Sequence, residues 1–299
     1  NQLGRALSMS RNNIKIGVIL QGAETPFMKE VLKGIQEACA EVDNLGGTVL
    51  VHKIEHQNAE DVILAMEKMR MEEVSGIAMV PLDEERVKRE IDRFVEEFRI
   101  PVVTFTSDVE DTKRLCFVGQ NGVQCGRAAA GLMGELTGGK GKVAVISGYS
   151  TNTSLSSRVV GFREEIARKY PGIEIIGPEY CFEENGRARE ITEGIFKDVP
   201  DLDGIYLTSH GEEGVCEAIA GAGKAGQVKM VANDFMGRNY ELMREGFIHF
   251  LIGQDARIQG YEPVMILFRL LFNGEAPERA KIFTEIYIRN EYTIPEGRH

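Results

Sequence analysis

Short runs of apolar, largely β-branched residues alternate along the chain with longer stretches in which apolar residues recur every three or four positions. A first series of runs occupies residues 14–20, 48–53, 76–80 and 101–106; a second occupies 142–147, 173–176, 204–207 and 229–232. Helical periodicity marks the stretches 26–42, 59–71, 84–98, 121–136 and 154–169. Strand patterns alternating with helical patterns predict right-handed βαβ units around a parallel sheet. The runs are apolar at nearly every position, as in strands covered by helices on both faces. The predicted fold class is therefore α/β, as two doubly wound parallel-sheet lobes.

The break between the two series falls within residues 116–141, which carry only one helical pattern. A last apolar helix, 259–271, and a late strand, 282–288, belong to neither series, so the chain is expected to cross between lobes more than once. No Pro-, Gly- or Ser-rich linker separates the lobes, which favours a tight hinge of several strands. Pro263 predicts a kink in the last helix, or a fresh start at Glu262. Tyr261, Val264, Met265, Phe268 and Leu271 form a stripe broad enough for either a core or a dimer interface.

Composition narrows the function. The 299 residues are 43% apolar and 27% charged, enough for two compact units. No run approaches the ~18–20 apolar residues of a bilayer span, and residues 1–10 lack the apolar stretch of a secretion signal. Lys and Arg total 35 against 46 Asp and Glu, and the resulting charge of −11 repels a polyanion. Five cysteines (Cys39, Cys116, Cys125, Cys181, Cys216) lack CxxC spacing, which suits reduced thiols in a cytoplasm rather than a zinc site or a disulfide framework. The five histidines include no HExxH, and neither metal nor cofactor is expected.

The segment Gly134-Glu-Leu-Thr-Gly-Gly139-Lys140-Gly141 imitates a phosphate loop, but Gly141 stands where Ser or Thr must hold magnesium. It also precedes a strand instead of following one, so it reads as a helix-ending turn. Ile146-Ser-Gly-Tyr-Ser150 is not a nucleophile elbow. Gln21-Gly-Ala-Glu-Thr-Pro-Phe27 follows the first strand, where α/β folds bind ligands. Thr25 and Pro26 open a helix there, and Phe27 is either core or a stacking surface. Asp108, Arg158, Asp234 and Gln254 fall at strand ends, as does His210, and together describe a polar cleft for a small hydroxylated molecule.

Several motifs resemble the superfamily that contains the lactose repressor and the type I periplasmic sugar-binding proteins. They are Ile16-Gly-Val-Ile19 with Pro26-Phe27, Phe117-Val-Gly-Gln-Asn-Gly122, Gly126-Arg-Ala-Ala-Ala130, Arg158-Val-Val-Gly-Phe162, Asn233-Asp234, Ile252-Gly-Gln254-Asp255 and Gln259-Gly-Tyr261. Their order is maintained from residue 14 to about 290. The resemblance implies two lobes of the periplasmic-binding-protein type joined by three crossovers, with a sugar-like ligand in the cleft. The expected division is 14–119 plus 255–282 for the N-terminal lobe and 120–254 plus 283–299 for the C-terminal lobe, after a linker at 1–13.

Within that resemblance, Arg158, Asp234 and Gln254 fall at sugar-contacting positions, with Gln21, Phe27, Tyr149 and His210 as further ligand contacts. The aspartate of the sugar binders is replaced by Thr106, with Asp108 two residues on, so either one is the contact. Arg158 equally suits a carboxylate or phosphate on a modified sugar. Asn1-Gln-Leu-Gly-Arg5-Ala-Leu7 resembles a repressor hinge helix, with Asn1, Arg5 and Leu7 toward DNA. The first expectation is thus the effector-binding, dimerising part of a cytoplasmic transcriptional regulator. It is a homodimer with no membrane partner, it senses a sugar or polyol-like molecule, and it meets operator DNA only through an absent headpiece. The alternative is a solute-binding protein of a carbohydrate transporter; an enzyme using His210 has no nucleophile or cofactor signature behind it.

Overall fold

The computed structural model describes residues 14–297, so the hinge-like segment with Asn1, Arg5 and Leu7 lies outside the described residues. Two compact units emerge. One takes the described residues as far as Gly119 together with Asp255–Thr284, and the other takes Gln120–Gln254 with the described residues from Glu285 on. The chain thus passes from unit to unit after Gly119, Gln254 and Thr284.

The first unit alternates β1 (Lys15–Gln21), α1 (Pro26–Asn44), β2 (Thr48–Ile54), α2 (Ala59–Met71), β3 (Gly76–Met79), α3 (Glu85–Glu96) and β4 (Val102–Phe105), and ends its first passage in β5 (Cys116–Gln120). The start of α1 follows from its sequence: Thr25 caps it by accepting the Met28 N–H, and Pro26 occupies the first turn, where no N–H is needed. The sheet runs β2-β1-β3-β4-β5, with all four pairings parallel. β1 and β3 to β5 are buried almost throughout. An additional edge strand, β11 (Lys281–Thr284), lies beside β5.

The second unit repeats the design. It contains α4 (Gly122–Thr137), β6 (Lys140–Ser147), α5 (Thr153–Lys169), β7 (Gly172–Tyr180), α6 (Asn185–Asp198), β8 (Gly204–Leu207), α7 (Glu212–Gly221), β9 (Lys229–Asn233), α8 (Asn239–Arg244) and β10 (Phe250–Gly253). Its sheet runs β7-β6-β8-β9-β10, again parallel, closed at one edge by the antiparallel β12 (Tyr287–Arg289). One apolar layer joins the sheet to α4 and α5, with Phe162 stacked on Tyr206. The other joins it to α6, α7 and α8. The strand order reverses between β6 and β8, which is where ligands meet such sheets, at the carboxyl ends of the strands.

Both units solve one packing problem identically. α1 meets α9 (Ala256–Asn273) so closely that a Cβ on Gly34 would lie 2.0 Å from the Arg257 carbonyl oxygen, and one on Gly260 2.0 Å from that of Val31. In the second unit a Cβ on Gly126 would lie 2.0 Å from the Arg158 carbonyl oxygen, and one on Gly161 2.1 Å from that of Val123. Paired glycines let the helix backbones touch, and this contact fixes where α5 holds Arg158.

Three expectations are corrected. The late strand is not one element: β11 belongs to the first unit and β12 to the second, with the chain crossing at Glu285 and Ile286. The last helix does not start at Glu262: α9 begins at Ala256, where Asp255 caps it by accepting the Ile258 N–H, and runs unbroken through Pro263 about two turns on. The stripe on α9 is no dimer face. Val264, Met265 and Phe268 are buried, and Tyr261 and Leu271 partly so, against α1 and the sheet of their own unit.

Candidate functional site

The second unit gathers polar side chains at the carboxyl ends of its strands. Arg158, on the second turn of α5, is 3% exposed, and its guanidinium donates to the Thr208 carbonyl at 2.5 Å and to Gln120 Oε1 at 3.0 Å. Gln120 in turn donates to the Gly253 carbonyl at 3.2 Å, so the buried cation is tied to the ends of β8 and β10. Burial opposes the charge, but the neighbouring Cys125 and Asp234 outweigh it and hold the Arg158 pKa above its ordinary value. Arg158 Nε, also buried, has no hydrogen-bond partner among the described residues.

Asp234 follows β9 in a left-handed backbone conformation, φ 75°, that non-glycine residues rarely adopt. Its N–H is held by the Ile252 carbonyl at 2.8 Å, and its Oδ1 accepts from Gln254 Nε2 at 3.2 Å. Burial pushes its carboxyl up to about 6, against the opposing pull of Arg158 and Gln254. A strained residue carrying a perturbed carboxyl at a strand end is characteristic of binding and catalytic sites. Asn233 anchors the same turn by donating to the Leu207 carbonyl at 3.0 Å.

His210, after β8, is partly exposed, and its Nδ1 lies 2.8 Å from the Glu212 carboxylate. Glu212 is 4% exposed; it also accepts the Gly211 N–H at 3.1 Å and Asn239 Nδ2 at 3.1 Å. The Glu212 hydrogen bond, followed in effect by the opposing pull of burial, leaves the His210 pKa raised. Tyr149, after β6, packs its ring 5.5 Å from that of Phe182, which follows β7 and is 45% exposed. Phe182 and Glu183 both have positive φ, 55° and 59°.

The expected residues of the first unit are engaged differently. Gln21, at the end of β1 and 4% exposed, donates to the Val80 carbonyl at 2.5 Å, and its buried Oε1 has no partner among the described residues. Phe27 lies half-buried in the first turn of α1. Thr106 follows β4 with φ 59° and is 8% exposed. Asp108 is clamped: Arg114 grips both carboxylate oxygens at 2.5 Å, and Thr104 donates to one of them at 2.7 Å. Its strongest acceptor sites are therefore directed into a structural ion pair.

Sequence reasoning missed Gln120, Asn233, Glu212, Asn239 and Phe182. Gln120 and Asn233 lay inside quoted motifs and could have been found as the polar residues closing apolar strands. Glu212 and Asn239 gave no such signal, because their significance is a mutual hydrogen bond across 27 residues of sequence. Among the described residues no cluster of His, Cys, Asp and Glu could hold a metal ion, and no helix is long and apolar enough to cross a membrane.

Residues 16–276 match the model of the periplasmic binding protein domain. The chain belongs to that family. Among curated relatives, a D-ribose/D-allose-binding protein of Pseudomonas aeruginosa is 26% identical over 230 residues, covering 73% of this chain and 70% of that protein. A D-allose-binding periplasmic protein of Escherichia coli is 23% identical over 248 residues, covering 80% and 78%. Among solved structures, an ABC transporter solute-binding protein from Agrobacterium vitis with bound D-fucose superposes with a TM-score of 0.87 at 25% identity, covering 95% of this chain and 97% of that one.

These findings overturn the regulator reading. The relatives are named for binding sugars, and one is named as periplasmic, where a cytoplasmic, operator-binding homodimer was expected. The motifs behind that expectation are shared by both branches of the superfamily, and only residues 1–7 and the odd number of cysteines chose between them. Arg158, Asp234 and Gln254 lie in those shared motifs and so did not discriminate between the branches.

Proposed function

We propose that this chain is a solute-binding protein for a small neutral sugar, working outside the cytoplasm with the permease of an ABC transporter. The observation that carries the reading is the set Arg158, Asp234 and Gln254 on one strand-end surface, a buried cation near a carboxyl in a left-handed turn that accepts from Gln254. Hydroxyl groups both donate and accept, so a sugar satisfies such a mixed set. The names of the relatives support a sugar and a transporter. A phosphate or carboxylate ligand is disfavoured because Thr208 and Gln120 already take up hydrogen bonds of the Arg158 guanidinium, and Asp234 adds a nearby negative charge.

The test is isothermal titration with D-ribose, D-allose, D-fucose, D-galactose and D-arabinose at pH 7.5, paired with thermal melting. A ligand present at 100 times its Kd stabilises the fold by about 2.7 kcal/mol, a shift easily read in a melt. Binding of at least one aldose, lost in Arg158→Ala, is expected. No heat and no melting shift with any of them at about 1 mM, roughly the weak end of useful affinities, would refute the proposal.

A further inference from the structure

The residues that face a ligand do not hold themselves in place. Glu212 is buried under the end of β8, and its two oxygens are divided between two loops. Oε2 takes His210 Nδ1 at 2.8 Å and the Gly211 N–H at 3.1 Å, and Oε1 takes Asn239 Nδ2 at 3.1 Å. Asn239 Nδ2 also reaches the carbonyls of Asn233 at 3.2 Å and Asp234 at 3.0 Å. One carboxylate is thereby connected, through one amide, to the backbone of the strained Asp234.

We infer that Glu212 is a positioning residue of the sugar site: it holds the His210 ring with Nδ1 toward itself and Nε2 left for a ligand and, through Asn239, braces the Asp234 turn as the acceptor beside it. The inference rests on the sugar-binding reading above and adds to it the group that sets donor against acceptor. A carboxylate only accepts, so His210 Nδ1 carries the hydrogen toward Glu212. Nε2 bonds no described residue and remains for a ligand oxygen. When the ring is protonated Nε2 donates; when it is neutral Nε2 can only accept, and the recognition inverts.

The ring titrates among named charges. Glu212 and Glu213 on α7 and Glu183 after β7 favour its proton, and burial opposes it, with the net effect upward. Asp234 after β9 feels the His210 charge in return, together with those of Arg158 and Glu212. Two limbs in the pH dependence of binding follow: an acid limb from Asp234 and an alkaline limb from His210. Glu212 sets the position of the alkaline one.

The experiment is titration of D-ribose and D-allose into the intact chain from pH 5 to 9, in wild type, Glu212→Gln and His210→Gln, beside NMR titration of the histidine rings without sugar. Gln keeps the size of Glu212 and removes its charge. Glu212→Gln is expected to move the alkaline limb to lower pH and to weaken binding at pH 7.5 about tenfold, the scale of one charged hydrogen bond. His210→Gln is expected to abolish the limb. A ring midpoint for His210 above the ordinary 6.5 in wild type, lowered in Glu212→Gln, is expected in the sugar-free protein. An alkaline limb unmoved in Glu212→Gln overturns the inference, and so does a wild-type His210 midpoint at or below 6.5, a measurement that requires no variant to fold. Failure of the wild type to bind any sugar instead sinks the functional proposal, while the ring titration still decides the role of Glu212.

Discussion

Asp234→Asn separates stability from binding. The carboxyl of Asp234 ordinarily ionises near 3.8, and burial in the folded protein raises this to about 6. The folded state therefore keeps the proton where the unfolded chain has lost it, and ionisation costs folding free energy. That cost is absent below pH 4, grows as the pH rises toward 6, and is complete above it. A shift of about two units corresponds to ~3 kcal/mol, and because Asp234 is only partly buried a range of about 1–3 kcal/mol is the reasonable expectation. Asparagine resembles the protonated acid, and its Oδ1 still accepts from Gln254. The variant should melt several degrees higher at pH 7.5 and show no gain at pH 4, since each kcal/mol is worth about 2–4 °C in a chain of this size. Affinity should move the opposite way. Losing a charged acceptor costs roughly 1.5–3 kcal/mol, about 10–100-fold in Kd for D-ribose or D-allose. Wild-type affinity should itself fall about tenfold per unit as pH drops below 6, following the ionised fraction. Differential scanning calorimetry and isothermal titration read both effects. An unchanged melting temperature at pH 7.5, together with affinity that is flat from pH 7.5 to 4.5, would refute the reasoning.

Arg158→Lys should weaken sugar binding at least tenfold, about 1.4 kcal/mol, because a lysine cannot reach Thr208 and Gln120 together as the planar guanidinium does; titration calorimetry on the folded variant measures it. Arg114→Ala should destabilise the first unit by up to about 3–5 kcal/mol, the cost of taking the cation from a buried ion pair, yet leave the sugar affinity of the folded fraction unchanged. Lost affinity with normal stability would instead make Asp108 a ligand contact. Gly126→Ala should lower stability by about 1–3 kcal/mol or more, since its Cβ would lie 2.0 Å from the Arg158 carbonyl oxygen; urea unfolding reads the loss, and tolerance of alanine would show that α4 and α5 can separate freely.

The α/β class was legible because parallel strands buried on both faces must be apolar along their central run, as residues 16–20 of β1, 143–146 of β6 and the whole of β8 are. The shortest strands were not. β10 is four residues and β12 three, too few for a period to stand out, and β12 joins its sheet in the antiparallel sense through a long-range pairing with β10. Strand-end polar residues such as Asp234 and Gln254 were legible for the complementary reason, since polarity at the end of an apolar run is conspicuous. What a polar residue is bonded to was not. Asp108 and Asp234 look alike in sequence, but Arg114, six residues on, engages the first, and among the described residues no cation bonds the second directly.

That contrast orders the chemistry of the two halves. Each has the same parallel sheet and the same glycine-mediated helix contact, so the architecture alone does not say where recognition is concentrated. In the first unit the strand-end polar groups are largely spent on the protein: Asp108 on Arg114 and Thr104, and the amide nitrogen of Gln21 on Val80. In the second, Arg158 and Glu212 are the buried groups, and both are used to hold others: Arg158 ties Gln120 and Thr208 together, and Glu212 holds His210 and, through Asn239, the Asp234 turn. The cost of burying those two charges is met by hydrogen bonds that lock loops into place, and the partly exposed Asp234 and His210 are the groups we propose face the sugar. Selectivity among sugars should accordingly follow substitutions at His210, Glu212 and Asp234 more closely than substitutions at Asp108. The same panel of aldoses, titrated against Glu212→Gln and Arg114→Ala in parallel, puts that asymmetry to the test: a changed order of preference in Arg114→Ala and an unchanged one in Glu212→Gln would reverse it.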